Sequence, residues 1–184
     1  MQFLLKILIL YILFFYEVSA ANSNVPCGNQ AWDLMRNAND CHVKGYFPKS
    51  IEYGKKIIEK EKNNSRAYAL IAMSYTRNNQ HVEAIPYYSR AVELGAATFD
   101  FFGHYAISLD AVGDTEAAIK WNRRALEIVP DLVDVTKSLA IQLSRSEKKE
   151  EAINLLESFD ATQRRLGRSE RFKGEIMILK DGLK

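Results

Sequence analysis

Small and apolar residues return along this chain at a fixed interval of 34 residues. Blocks begun at Ala31, Ser65, Phe99 and Val133 carry Ala38, Ala72, Ala106 and Ala140 at their eighth position. The twentieth position holds Ser50, Ala84, Ala118 and Ala152, and the twenty-first is isoleucine throughout: Ile51, Ile85, Ile119 and Ile153. The twenty-seventh reads Ile57, Ala91, Ala125 and Phe159. Inside a block the spacing is helical. Tyr68, Ile71, Ala72 and Tyr75 fall at i, i+3, i+4 and i+7, and Ala84, Ile85, Tyr88, Ala91 and Val92 form a second stripe. Block three repeats this with Phe102, Tyr105, Ala106 and Leu109, then Ala118, Ile119, Ala125 and Leu126. Each block therefore predicts two antiparallel helices, A and B, whose axes approach where the side chains are small.

Turn residues stand where that period needs them. Gly113-Asp114 separates the helices of block three, with Thr115 expected as N-cap, and Asn78-Asn79-Gln80 does so in block two. Lys44-Gly45-Tyr46 serves block one, followed by Pro48 in a first helical turn, and Pro130 closes block three. Beyond block four, residues 160–167 predict a connection and Ser169 to about Leu179 a helix with Phe172, Ile176 and Leu179 on one edge. A terminal element of that kind covers the open apolar face of a last repeat. Arg164, Arg165, Arg168, Arg171 and Lys173 read as its solvated face rather than a partner surface. The expected fold class is all-α. Its repeats lie near 31–64, 65–98, 99–132 and 133–160, followed by a capping helix and tail over 161–184.

These positions resemble the tetratricopeptide repeat (TPR) family, whose unit is a helix–turn–helix of 34 residues. The resemblance covers about residues 31–160. Blocks two and three carry most of the pattern; block one departs from it at Asn37, Ser50 and Gly54. Lys62 and Ala96 stand where block three has Pro130, and Phe159 replaces a small residue in block four. The resemblance implies a right-handed α-solenoid of about four repeats whose A helices line a concave surface. By the same likeness the second, fifth, ninth, twelfth and thirteenth positions face that surface. The ninth positions are Asn39, Met73, Ile107 and Ile141, an apolar strip over three blocks. The fifth are Met35, Ala69, Gly103 and Lys137, and the smaller two leave room for a ligand backbone. Arg66, Arg77, Asp100, Asp110, Asp134 and Arg145 surround them. An apolar floor with a mixed-charge rim suits an extended peptide or a helix. The competing readings are that Ile107 and Ile141 pack on neighbouring helices, or that the N-terminal tail of the chain lies in the groove. TPR domains that grip a terminal carboxylate do so with Lys and Asn, where this chain has Ala69, Met73, Gly103 and Ile107. A carboxylate clamp is therefore not expected.

Composition narrows the function classes. At 184 residues, 47% apolar and 26% charged, the chain is long enough to bury a core as one domain. A net charge of +2, with Lys and Arg interleaved among Asp and Glu, does not suit a nucleic-acid partner. Phe3 to Tyr16 is apolar except for Lys6, and Val18-Ser19-Ala20 supplies the small residues of a signal-peptidase site. A signal peptide over 1–20, an N-terminal segment over 21–30 and a periplasmic or secreted protein follow as expectations. The alternative is an uncleaved helix that anchors the chain to a membrane. Cys27 and Cys41 would remain after cleavage; they are read either as one disulfide, contributing about 3 kcal/mol by loop entropy, or with Cys41 as a buried small residue. Asn63-Asn64-Ser65 is an N-glycosylation pattern at a block junction, relevant only to a eukaryotic source.

Candidate chemistry is sparse. His42, His81 and His104 are the only histidines, and none belongs to a metal-ligand run. No phosphate loop and no G-x-S-x-G turn occurs. The expectation is a non-catalytic module without cofactor or metal whose partner is another protein. Two alternatives stand beside it. One is a self-associating structural solenoid. The other is a relative of TPR–hydrolase fusions, because Phe159-Asp160, Leu166-Gly167, Phe172 and Ile176 look like the end of TPR segments that accompany aspartic-protease domains. No Asp-Thr-Gly or Asp-Ser-Gly triplet is present, so that catalytic half is missing.

Overall fold

The computed structural model describes residues 27–28 and 33–181. The apolar N-terminal stretch read as an export signal, and most of the segment after it, lie outside the described residues. The described residues form nine α-helices and no strand. They are α1 (Leu34–Val43), α2 (Phe47–Lys60), α3 (Ser65–Arg77), α4 (His81–Glu93), α5 (Phe99–Ala111), α6 (Thr115–Ile128), α7 (Val133–Arg145), α8 (Lys149–Arg165) and α9 (Lys173–Asp181). Helices α3, α5 and α7 begin at the first residues of the second, third and fourth blocks.

The recurring small residues are what the helix pairs close on. Ala72, Ala106, Ser50, Ala84, Ala118 and Ala152 are all fully buried, as are Ala91 and Ala125. Large residues fill the space beside them: Ile71, Tyr88 and Phe101 around the second and third repeats, Ile119, Leu139, Leu143 and Leu156 farther along. Block one uses the opposite arrangement at one place. At its twenty-fourth position, where the later blocks have Tyr88, Asn122 and Leu156, stands Gly54. A Cβ there would lie 2.4 Å from Ile71 Cγ1, so the α3 isoleucine occupies the volume that the B helix's own side chain fills in later blocks. Phe159, the large residue of block four, meets Phe172 edge to face at 5.2 Å and so joins α8 to the capping segment.

The fifteenth position makes each A-to-B turn. Gly45, Asn79, Gly113 and Glu147 all adopt positive φ, at 82, 59, 92 and 61°. Glycine and asparagine visit this left-handed region readily, whereas a glutamate pays for the closeness of its Cβ. Glu147→Gly is expected to raise stability by about 0.5–1 kcal/mol, the left-handed cost less the added chain entropy. A thermal midpoint that stays the same or falls would contradict this.

Several expectations are corrected in detail. Asp114, not Thr115, caps α6: its side chain accepts from the Ala117 N–H at 3.1 Å, while the Thr115 hydroxyl donates to Asp110 Oδ1. Helix α8 does not stop at residue 160 but runs to Arg165. The capping helix starts at Lys173 rather than Ser169, because the buried Asp160 carboxylate accepts the N–H groups of Arg171 and Phe172 and holds residues 169–172 outside the helix. Arg164 and Lys173 pair with Glu170, and Arg168 with Asp131. Much of the basic stretch is thus engaged within the cap. Pro86 lies inside α4, so the carbonyl of Val82, an exposed residue, goes without its helical donor.

At the N-terminal end Cys27 and Cys41 form a disulfide with a Cα–Cα distance of 5.0 Å. Gly28 N–H donates to Asp40 Oδ2 and the Tyr53 hydroxyl to Gly28 O, both at 3.2 Å. Residues 27–28 are thereby fixed to the α1–α2 pair.

Candidate functional site

The strip expected on the A helices is open along its C-terminal part. Ile107 is 45% exposed and Ile141 49%, high values for isoleucines in the middle of α5 and α7. Met73 on α3 is half-buried and Asn39 on α1 is exposed. Each isoleucine is thus about half open to solvent and half covered by its surroundings.

Two cavities flank α7. The first, of about 330 Å³, lies between α5 and α7 and includes Phe99, Gly103, Ile107, Leu132 and Val135. The second, of about 240 Å³, lies between α7 and α9 and includes Ile141, Leu156, Phe172, Ile178 and Leu179. Each exposed isoleucine therefore borders a recess rather than a flat surface. Gly103 itself is buried, with Val135 Cγ2 at 3.4 Å from the place of an added Cβ, so the next repeat takes part of the room assigned to a ligand backbone. A third cavity, more polar, gathers Met35, Arg66, Lys60 and Glu61 at the first-to-second repeat junction, and Ala69 is half-buried on α3.

Not every rim charge is free to meet a ligand. Arg145 Nη1 pairs with Asp110 Oδ2 at 3.0 Å, and Lys137 Nζ with Glu175 Oε1 at 3.6 Å. These four residues tie α5 to α7 and α7 to α9. Arg66 and Arg77 have no carboxylate partner among the described residues, and the Arg77 guanidinium sits 5.7 Å from the Phe47 ring centre. Asp134 likewise has no cationic partner, and Asp100 Oδ1 lies 3.4 Å from His104 Nε2.

The sequence pattern of small residues did not reveal the polar seams between repeats. The tenth positions of blocks two to four, Ser74, Ser108 and Gln142, are buried. His42 Nδ1 meets Ser74 Oγ at 2.8 Å, and the Ser74 hydroxyl lies 3.0 Å from Ser50 Oγ. Thr76 meets Ser108 at 2.7 Å and the Tyr88 hydroxyl at 2.9 Å. Asn122 Nδ2 donates to Gln142 Oε1 at 2.9 Å. The available signal was a polar residue recurring at one position of otherwise apolar helices.

Burial holds the imidazoles of His42 and His104 below the usual histidine range. For His42, the neighbouring His104 and Arg77 add to this and Asp100 opposes it; for His104, Asp100 opposes and Arg77 adds. The unfolded chain thus binds protons more readily than the folded one below a pH of about 6.5. Stability from this source is complete above that pH and is lost as pH falls toward the lowered folded-state values. The thermal midpoint is expected to drop between about pH 7.5 and 5.5, and to drop less in His42→Gln/His104→Gln. Equal slopes for both proteins would exclude the two histidines as the cause.

Among the described residues no group of three or more His, Cys, Asp or Glu side chains is placed to hold a metal ion, and no helix is long and apolar enough to cross a membrane.

Stacked A–B helix pairs with buried small residues at a constant interval define a helical-repeat solenoid. The tetratricopeptide repeat model matches residues 65–96, and the fold of the chain is that of solved TPR structures. Among solved structures, the YrrB crystal structure is 16% identical and covers 78% of this chain and 73% of that one, with a TM-score of 0.66. It is described as a TPR protein with an unusual peptide-binding site. A MamA crystal structure is 18% identical over 71% of this chain and 72% of that one, TM-score 0.64. MamA from Desulfovibrio magneticus RS-1 is 14% identical over 71% and 74%, also with a TM-score of 0.64. No curated protein matches the sequence.

Proposed function

We propose that this chain is a non-catalytic interaction module that binds a peptide or helix of another protein along its A-helix face. The observation that carries this reading is the pair of exposed isoleucines, Ile107 and Ile141, each set beside a cavity on the flanks of α7. Isolated apolar side chains on a surface are ordinary, but apolar recesses in line along one face are where extended peptides and amphipathic helices dock. A solenoid fold supports the reading, because stacked repeats present one extended face. The peptide-binding description of YrrB points the same way for a protein of similar fold.

The compartment we propose is the periplasm or the secretory space. An apolar leader ending in Val18-Ser19-Ala20 and a Cys27–Cys41 bridge both favour an exported, oxidising setting. If the leader is kept, the same module would face that space from a membrane anchor. The test is a pull-down of the tagged protein from envelope extracts, with sedimentation of the purified chain beside it. A stoichiometric foreign protein supports the proposal. Concentration-dependent self-association with no foreign partner would replace it with a structural solenoid.

A further inference from the structure

We propose that the cavity between α5 and α7 receives a lysine or arginine side chain of the bound peptide. The proposal rests on the A-helix-face reading and gives its ligand a chemistry. The charged side chains lining this cavity are all carboxylates, Asp100, Asp131 and Asp134, and no Lys or Arg joins them. Its apolar lining includes Ile107, Leu132, Val135 and Phe99. A long aliphatic stem ending in a cation fits such a site: the stem covers apolar surface while the charged end reaches acceptors at the rim. An aromatic ring adds attraction for the same group. The volume of about 330 Å³ falls within the ~300–1,000 Å³ usual for ligand sites.

The three carboxylates are not equivalent. Asp131 is already satisfied, because the Arg168 guanidinium and the Gln163 amide both donate to it. These bonds hold its carboxyl below the usual range. One carboxylate of this cavity therefore takes a guanidinium from within the chain. Asp134 has no such partner among the described residues, and Asp100 has only the His104 ring nitrogen at 3.4 Å. Burial pushes that imidazole below the usual histidine range, and Asp100 opposes the shift. An acidic peptide side chain would meet two like charges at this place; a basic one would meet two acceptors. Arg66 and Arg77, on the second repeat, carry the opposite sign, and Arg77 lies near enough to His104 to help hold its imidazole below the usual range. A ligand with a basic residue over the third and fourth repeats and an acidic one toward the second matches both.

The test is display selection of a random 12-residue peptide library on the folded protein, followed by fluorescence anisotropy with the recovered peptides. Recovered sequences should carry Lys or Arg beside apolar residues. Asp100→Asn/Asp134→Asn should weaken their binding roughly tenfold, the sum of two partly exposed ion pairs. Asp100→Glu/Asp134→Glu should restore it, and Asp100→Lys/Asp134→Lys should select acidic peptides instead. Both aspartates are exposed but stand in the first turns of α5 and α7, so helix content and thermal midpoint are measured on each variant beside its binding. Peptides that lack basic residues and ignore Asp100→Asn/Asp134→Asn, yet are lost on Ile107→Glu, would overturn the cation proposal and leave the docking face standing. Binding insensitive to Ile107→Glu, or no recovered peptide at all, would remove both. Self-association of the free protein that Asp100→Asn/Asp134→Asn abolishes would make a second copy the occupant and overturn the peptide assignment.

Discussion

Tyr88→Ala is expected to lower the unfolding free energy by about 3–5 kcal/mol, the cost of truncating a buried aromatic residue. Tyr88 has no exposed surface. Its ring stacks on Tyr105 with centres 4.7 Å apart and meets Phe101 edge to face at 5.2 Å. It stands at the junction of the second and third repeats, so its loss leaves a hole between stacked units that contact only their neighbours. The hydroxyl adds a smaller part. Its 2.9 Å contact with Thr76 belongs to the Thr76–Ser108 pair, and Tyr88→Phe keeps the packing while removing that bond. The phenylalanine variant should cost about 1 kcal/mol, so urea midpoints of the two variants separate packing from hydrogen bonding. A loss below about 1 kcal/mol for Tyr88→Ala would mean that the rings close over the gap.

Met73→Glu/Ile107→Glu is expected to weaken partner binding at least ~100-fold, equivalent to about 2.8 kcal/mol. Ile107 is 45% exposed and borders the α5–α7 cavity, while Met73 occupies the matching position one repeat earlier. A carboxylate placed in an apolar contact must be desolvated without a partner when the ligand seats, and central apolar contacts carry a large share of binding energy. Ile107 is already half open to water, whereas Met73 is half-buried against the core, so the double variant should lose some stability and Ile107→Glu alone should leave the fold nearly as stable as before. Titration of the captured partner against the wild-type and doubly substituted proteins reads the effect directly. Unchanged affinity would move the site to another face.

The repeat architecture was legible because packing writes it in side-chain size. Two helix axes approach closely only where side chains are small, so Ala72, Ala84, Ala106 and Ala118 announce the pairing with no knowledge of the partner helix. Helix ends were less legible because a cap depends on which polar atom reaches which N–H. Asp114 and Thr115 are both competent, and only geometry gives the role to Asp114. The start of α9 depends on Asp160, more than ten residues away in sequence, which a local reading does not weigh. The candidate site was legible in part. Position within the repeat placed Ile107 and Ile141 on one face, but the ion pairs that engage Asp110, Arg145 and Lys137 join residues of different helices. The unpartnered state of Asp134 likewise emerges only once those helices are stacked.

The three seams between consecutive repeats use different chemistry: an imidazole against a hydroxyl, two hydroxyls with a phenol, and a pair of carboxamides. Each unit is thereby keyed to one predecessor and one successor. A chain rebuilt with its second and third units exchanged would keep every small residue in step and still bury donors and acceptors that do not match. The order of the units is thus written into the interior of the rod.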